Sequence, residues 1–102
     1  MDDTVRTFEV QIDGEPFNAP LLADAQSVMH AAAVGLKHFH KRELRRDSVI
    51  RVLSLPDKAE TGSATIEQVL RWVKTDAGQK AFEDEPLGWR DELLDFAKRM
   101  GI

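Results

Sequence analysis

Residues 6–14 read RTFEVQIDG, and they decide how the fold begins. Phe8, Val10 and Ile12 alternate with polar neighbours, so in an extended chain they share one face and predict a half-buried β-strand. Asp13-Gly14 follows at once, and Asp-Gly after an alternating segment signals a hairpin, because a type I′ turn needs positive φ at both central positions. The sequence therefore predicts a β-hairpin at the start of the fold.

The second strand of this hairpin is predicted from Glu15 to about Leu22, with Phe17 near Val10. Pro16 has no backbone N–H to donate to a sheet ladder, which favours an edge position for this strand. An exposed edge can pair with a strand of another chain. This strand therefore offers a route to a partner strand or to a homodimer.

A helix is predicted after the hairpin, with Asp24 as its N-cap and an end between His40 and Arg46. Residues 25–39 are rich in helix formers. Gly35 in the interior costs about 1 kcal/mol relative to alanine, which leaves two interpretations open: close approach to the sheet, or simple tolerance. The apolar residues at helical spacing are Val28, Ala32, Leu36 and Phe39.

Residues 48–55, SVIRVLSL, are the most β-branched stretch of the chain and predict a third, central strand that ends at Pro56-Asp57. The polar residues 57–64 have no hydrophobic period and are expected to form a loop. Thr65 and Gln68 then have the spacing of a helix capping box. The apolar stripe of the helix that follows is Ile66, Val69, Leu70 and Val73.

Two further helical segments are expected near the C-terminus. After a break at 75–78, residues 79–83 favour a short helical turn. A last helix ends before Gly101, a residue suited to the position after a helix C-terminus. Its apolar face consists of Trp89, Leu93, Phe96 and Met100, and Trp89 on this face is expected to lie in the core.

These elements predict one α+β domain over residues 1–102. Its parts are a ββαβ unit over 1–56, a polar loop over 57–64 and two or three helices over 65–102. The sheet is expected to have three strands, to contain the antiparallel hairpin and to pack against the C-terminal helices. A chain of 102 residues suffices for one domain with a modest core.

Composition restricts the chemistry and the compartment. Cysteine is absent, which excludes disulfides, thiolate metal sites and thiol nucleophiles. The first residues, MDDTVR, lack the basic-then-apolar layout of a signal peptide, and no apolar run approaches the roughly 18 residues that span a bilayer. We therefore expect a cytoplasmic protein that does not act in a membrane.

The chain has no arrangement of residues typical of catalysis. On a continuous helix His38 and His40 point about 200° apart, and no histidine pair has i, i+4 spacing, so His30, His38 and His40 are expected to be ordinary surface residues. No serine lies in a nucleophile elbow, and the glycines do not form a phosphate loop. We expect no enzyme activity, no cofactor and no metal site.

The net charge of −4 includes a basic segment at residues 37–51, where six cations and two carboxylates give +4. Cations at a helix C-terminus complement the helix dipole, which explains part of this charge without any partner. The same cations can steer an acidic partner toward the protein. They are Lys37, Lys41, Arg42, Arg45, Arg46 and Arg51.

Trp72 is the second candidate for binding. It lies about 110° from the centre of its helix's apolar stripe, at the boundary of the core, where tryptophans often anchor interfaces. Packing over a neighbouring helix is equally compatible with this position. We predict a small, non-catalytic protein-binding or regulatory domain for an acidic protein surface, with Lys37, Lys41, Arg42, Arg45, Arg46 and Trp72 as the binding residues.

Nucleic-acid binding is the alternative function. Six cations within fifteen residues, interleaved with an aromatic residue and histidines, could follow a phosphate backbone. The sequence pI of about 5.3 disfavours this function, because the acidic remainder of the chain repels a polyanion.

Overall fold

The computed structural model describes residues 5–12, 21–39 and 44–102, which form one antiparallel four-stranded sheet and four α-helices. The α+β class is therefore confirmed. The elements are β1 (Arg6–Ile12), β2 (Leu21–Ala25), α1 (Val28–Phe39), β3 (Val49–Ser54), β4 (Ala59–Thr65), α2 (Ile66–Val73), α3 (Asp76–Ala81), a single 3-10 turn (Phe82–Asp84) and α4 (Trp89–Arg99).

The strands lie in the order β2-β1-β3-β4, so β1 and β3 are the central strands. Val10 of β1 lies opposite Leu21 of β2 and opposite Val52 of β3. Phe8, Val10 and Ile12 are all buried, as predicted, but Glu9 between them is buried as well, so burial does not alternate strictly along β1. The central position of the third strand is confirmed.

The prediction of three strands is wrong, because residues 59–65 form a fourth strand where a polar loop over 57–64 was expected. β4 pairs with β3 from Val49 opposite Thr65 to Ser54 opposite Ala59. Ala64 is its one buried residue, so the strand carries almost no hydrophobic period. Its position depends on backbone hydrogen bonds to β3, which leave no pattern in the side chains.

The hairpin partner of β1 extends beyond the predicted end near Leu22. Its described part, β2, covers Leu21–Ala25, while residues 13–20, with Asp13-Gly14, Pro16 and Phe17, lie outside the described residues. Asp24 is therefore a strand residue rather than an N-cap, and its Oδ1 accepts a hydrogen bond from the Thr7 hydroxyl at 2.6 Å. The strand extends this far because Ala23 and Ala25 point into the core.

Ser27 takes the capping position of α1 instead. Its Oγ accepts a hydrogen bond from the backbone N–H of His30 at 3.1 Å, which is the geometry of an N-cap serine. The predicted end of this helix falls partly on residues 40–43, which are outside the described part of the chain.

The centre of the molecule is α1, which packs on all four strands and also contacts α2 and α4. Residues 30–36 are all buried. A Cβ on Gly35 would overlap the side chain of Val10, so this glycine marks close approach to the sheet. That decides between the two interpretations of Gly35 in favour of packing.

The C-terminal helices follow the sequence closely. The Thr65 hydroxyl accepts the Gln68 N–H at 3.1 Å and the Gln68 side chain accepts the Thr65 N–H at 2.9 Å, which confirms the capping box. The apolar stripe of α2 is fully buried, and Gly101 has φ +77° at the end of α4. α3 begins at Asp76, inside the break expected at 75–78, because Thr75 caps it.

The prediction that Trp89 lies in the core is wrong. At the start of α4 it is half-buried against α1, with Lys37 Nζ 5.1 Å from the centre of its ring. Within the described residues, no helix combines the length and the apolar character that crossing a bilayer requires.

Candidate functional site

The described cations of the basic segment each lie close to a carboxylate. Lys37 Nζ is 3.8 Å from Glu92 Oε2, and Arg45 Nε is 3.6 Å from Asp47 Oδ1. Lys41 and Arg42 lie outside the described residues. Arg51 lies 4.0 Å from Glu60. The local charge around residues 37–51 is therefore lower than the sequence suggests.

Arg46 is part of a small charge network at the N-terminus of α2. Hydrogen bonds from Arg71 and then from Arg46 hold the pKa of Glu67 below its ordinary value. The Arg71 Nη2 atom is 2.7 Å from Glu67 Oε2, and Arg46 Nε is 3.3 Å from Glu67 Oε1. The Glu67 N–H also donates to the Arg46 carbonyl at 3.1 Å, so Arg46 ties the turn before β3 to α2.

Trp72 is separated from this network. On α2 it lies five residues from Glu67, which corresponds to about 7.5 Å along the axis and about 140° around it. The two residues are thus on opposite flanks of the buried stripe. The structure does not bring Trp72 together with Arg45 and Arg46 in one surface.

Trp72 instead forms one wall of a groove between the start of α1 and the α2–α3 corner. The groove has a volume of about 430 Å³. We call it the Trp72 groove. It is lined by Gln26, Ser27, His30, Trp72, Ala77, Lys80 and Ala81.

A tight corner between α2 and α3 shapes this groove. Thr75 Oγ1 donates to the Trp72 carbonyl at 2.6 Å and accepts the Gly78 N–H at 3.2 Å. A Cβ on Gly78 would overlap the backbone of Trp72 and Val73, so only glycine allows α3 to fold back this closely. As a result, Lys80 and Trp72 line the same groove.

The floor of the groove contains a buried histidine. His30 is only 5% exposed. Its Nε2 lies 2.8 Å from Glu85 Oε2, and its Nδ1 accepts the Gln26 backbone N–H at 3.4 Å. A ring nitrogen that accepts an N–H carries no proton, so Nε2–H is the donor to the Glu85 carboxylate. The pair joins the start of α1 to the segment after the 3-10 turn.

The expectation of a surface position was therefore wrong for His30. On a helical wheel His30 lies opposite the stripe of Val28, Ala32 and Leu36, which indicates solvent exposure for a helix with one buried face. α1 is covered on both sides, by the sheet and by the other helices. No helix period marks a residue buried in this way, although Ser27 three positions earlier was a usable cap signal.

Two polar side chains of the groove are engaged in hydrogen bonds within the fold. Both ring nitrogens of His30 have a partner, and the Ser27 hydroxyl caps α1. Among residues 5–12, 21–39 and 44–102, no three His, Asp or Glu side chains are grouped to hold a metal ion. Lys80 forms no ion pair within the same residues. The groove therefore presents one aromatic ring and one available ammonium.

No protein-family model, curated protein or solved structure matches this chain significantly. A function for it has to be argued from its own residues and their geometry.

Proposed function

We propose that this protein is a non-catalytic, cytoplasmic binding domain for another protein, and that the Trp72 groove is its contact site. The observation that carries the proposal is the pairing of a half-buried tryptophan with an unpaired lysine across one groove. Tryptophan is enriched among the few residues that supply most of the binding energy at protein interfaces. Lys80 selects a partner segment that carries a carboxylate.

The partner is an acidic segment with an apolar residue beside its carboxylate. The carboxylate pairs with the Lys80 ammonium, while the apolar side chain packs on the Trp72 ring. The small side chains of Ala77 and Ala81 leave the space between these two groups open. Charge complementarity therefore supports an acidic protein partner.

The basic segment at residues 37–51 has a secondary role in this proposal. Three carboxylates from outside the segment, those of Glu60, Glu67 and Glu92, lie within 4.0 Å of its cations. They offset most of its +4 charge. Steering of the acidic partner then depends on the remaining cations, among which Lys41 and Arg42 are candidates.

Sheet edges are a second way to contact a protein strand. In the described part of the chain β2 and β4 are the two edges. β4 is seven residues long, and Glu60 is its one charged residue. A strand edge with little charge is open to pairing with another strand, including one from a second copy.

Affinity capture with matched variants tests the groove. Immobilised wild-type protein, Lys80→Glu and Lys98→Glu are compared on the same lysate, half of it treated with nuclease. Lys98 is an exposed lysine of α4 and serves as the control for charge. We expect one protein that survives nuclease, is retained by Lys98→Glu and is reduced at least about fivefold by Lys80→Glu.

A second variant separates the groove from the basic segment. Replacing Lys41 and Arg42 by glutamine should slow association and reduce its salt dependence without abolishing binding. Lys80→Glu and Trp72→Ala should each keep a native circular dichroism spectrum. If both variants retain the same protein, the groove is not the contact site. Material lost on nuclease treatment identifies nucleic acid as the ligand instead.

A further inference from the structure

A second cleft lies at the end of the sheet where β1 begins and β3 ends. Its volume is about 420 Å³, within the range of small-molecule sites. It shares no residue with the Trp72 groove. Its lining consists of Arg6, Thr7, Phe8, Ser54, Leu55 and Pro56.

The wall of this cleft is apolar and held in place. Phe8 is 4% exposed and lies opposite Ser54 in the β1–β3 ladder. The Ser54 hydroxyl is 3.4 Å from Asp57 Oδ1 and 3.3 Å from the Ala59 carbonyl oxygen, so its single proton is bound within the turn. The turn that carries Leu55 and Pro56 is thereby fixed next to Phe8.

Among the described lining residues, Arg6 is the charged one. The Arg6 guanidinium carbon lies 5.8 Å from the centre of the Phe8 ring. Within the described residues, Arg6 forms no ion pair. An arginine that rests on an aromatic ring keeps its planar fork of N–H donors free for an anion. Arg99 offers a contrast, because it lies 5.8 Å over Phe96 but is also 3.3 Å from the Asp95 carboxylate.

We propose that this cleft binds a carboxylate carried on a small apolar body. The Arg6 guanidinium pairs with the carboxylate, and Phe8, Leu55 and Pro56 contact the apolar body. Phosphate esters fit less well, because their three charged oxygens need more donors than one arginine supplies. Two sources provide the required chemistry: a free aliphatic carboxylic acid, or the C-terminal carboxylate of a peptide whose last residue is apolar.

Amide chemical shifts measured by NMR test this site directly. ¹⁵N-labelled protein is titrated with sodium hexanoate, and with hexan-1-ol and hexylammonium as probes of the same apolar length. We expect hexanoate to shift the amides of Thr7, Ser54 and Leu55 with a dissociation constant on the order of 1 mM. Hexan-1-ol should bind about tenfold more weakly, and hexylammonium should cause no shifts at these amides.

A matched pair of arginine variants isolates the carboxylate contact. Arg6→Gln should reduce hexanoate binding about tenfold, to the level of hexan-1-ol, whereas Arg99→Gln should leave it unchanged. Equal binding of hexanoate and hexan-1-ol, or unchanged hexanoate binding in Arg6→Gln, overturns the proposal. The absence of shifts at Thr7, Ser54 and Leu55 with hexanoate also overturns it.

Two peptide arms then distinguish the sources. An acetylated pentapeptide that ends in leucine is compared as the free acid and as the C-terminal amide. If the pentapeptide with a free C-terminal carboxylate binds more tightly than hexanoate, the ligand is a peptide C-terminus. Binding of hexanoate without binding of the peptide acid identifies a free carboxylic acid.

Discussion

At the scale of single residues, the role of a side chain in the fold depends more on its close contacts than on its residue type. Gly35 and Gly78 are both required where one backbone approaches another element, although neither has a positive φ. Glu67 accepts hydrogen bonds from two arginines, while the carboxylate of Glu85 is joined to a buried histidine. These contacts lead to three predictions about individual side chains.

Gly35→Ala should destabilise the fold. The added Cβ overlaps Val10 at the α1–β1 contact, and overpacking of this kind costs about 1–3 kcal/mol. The gain in helix propensity of about 1 kcal/mol offsets part of this cost. Denaturant unfolding should show a net loss of up to roughly 2 kcal/mol. Combining Gly35→Ala with Val10→Ala should give less destabilisation than the sum of the two, and strict additivity would contradict the contact.

The carboxyl of Glu67 should titrate at a lower pH than an unperturbed glutamate. Its pKa in the folded state is lowered by hydrogen bonds from Arg71 and Arg46, so its protonation opposes folding. The stabilisation is complete above the pKa of Glu67 in the unfolded chain and is lost as the pH falls through the folded-state pKa. NMR titration of the side-chain carboxyl measures this directly. Arg71→Gln should raise the pKa, whereas Arg99→Gln should not change it.

Glu85→Ala should cost more stability than its partly exposed position suggests. His30 Nε2–H donates to the Glu85 carboxylate, and removing the acceptor leaves a buried donor unpaired, at a cost of about 1–3 kcal/mol. Glu85→Gln keeps an oxygen acceptor and should cost less than half as much. Thermal unfolding compares the two variants, with the exposed Glu83→Gln as control. Equal losses for Glu85→Ala and Glu83→Gln would contradict the hydrogen bond.

At the scale of elements, helix ends are specified by local polar groups. Ser27, Thr65 and Thr75 each accept a backbone N–H three residues later, at the start of α1, α2 and α3 respectively. Such caps depend on a few neighbouring residues and need no tertiary contact. The strand β4 is the opposite case, because its side chains are mostly exposed and its position depends on β3.

Removing the cap of α2 should therefore have a local, measurable effect. Thr65→Ala eliminates the hydroxyl that accepts the Gln68 N–H and should reduce the free energy of unfolding by about 1 kcal/mol. Thr61 is an exposed threonine of the same strand without a capping role. Thr61→Ala should change stability by less than about 0.5 kcal/mol. Urea unfolding of both variants measures this difference. Equal losses in the free energy of unfolding would exclude a capping contribution from Thr65.

At the scale of the whole molecule, the central position of α1 determines which surfaces are available. The sheet covers one side of α1, and α2 and α4 cover the other. The Trp72 groove opens at the N-terminal end of α1, whereas Lys37 lies in its last turn. A helix of 12 residues is about 18 Å long, so the groove and this lysine lie well apart.

Separation of these two regions predicts independent effects on binding. Lys80→Glu changes the groove, and Lys37→Gln changes the basic segment at the other end of α1. If both regions contact one acidic partner, the changes in binding free energy caused by the two variants should add within about 0.5 kcal/mol, because distant sites couple little. Isothermal titration of the single and combined variants with the captured partner measures this sum. A large coupling energy would show that the two regions form one contact surface.

The sequence by itself determined the elements whose signals are local. The buried apolar residues of β1, the β-branched run of β3, the capping box and apolar stripe of α2, and Leu93 and Phe96 on α4 all appear in the structure. Each depends on neighbours within a few residues, because a helix or strand repeats every few positions. The boundary position of Trp72 was predicted in the same way from its angle on α2.

Only the tertiary structure decided which residues distant in the sequence contact each other. β4 carries no hydrophobic period because its partner is a backbone edge, and His30 is buried because α1 is covered on both sides. The contact from His30 to Glu85 spans 55 residues, and no local pattern encodes it. The same holds for the Trp72 groove and for the Arg6 cleft, since each forms where side chains from separate elements meet.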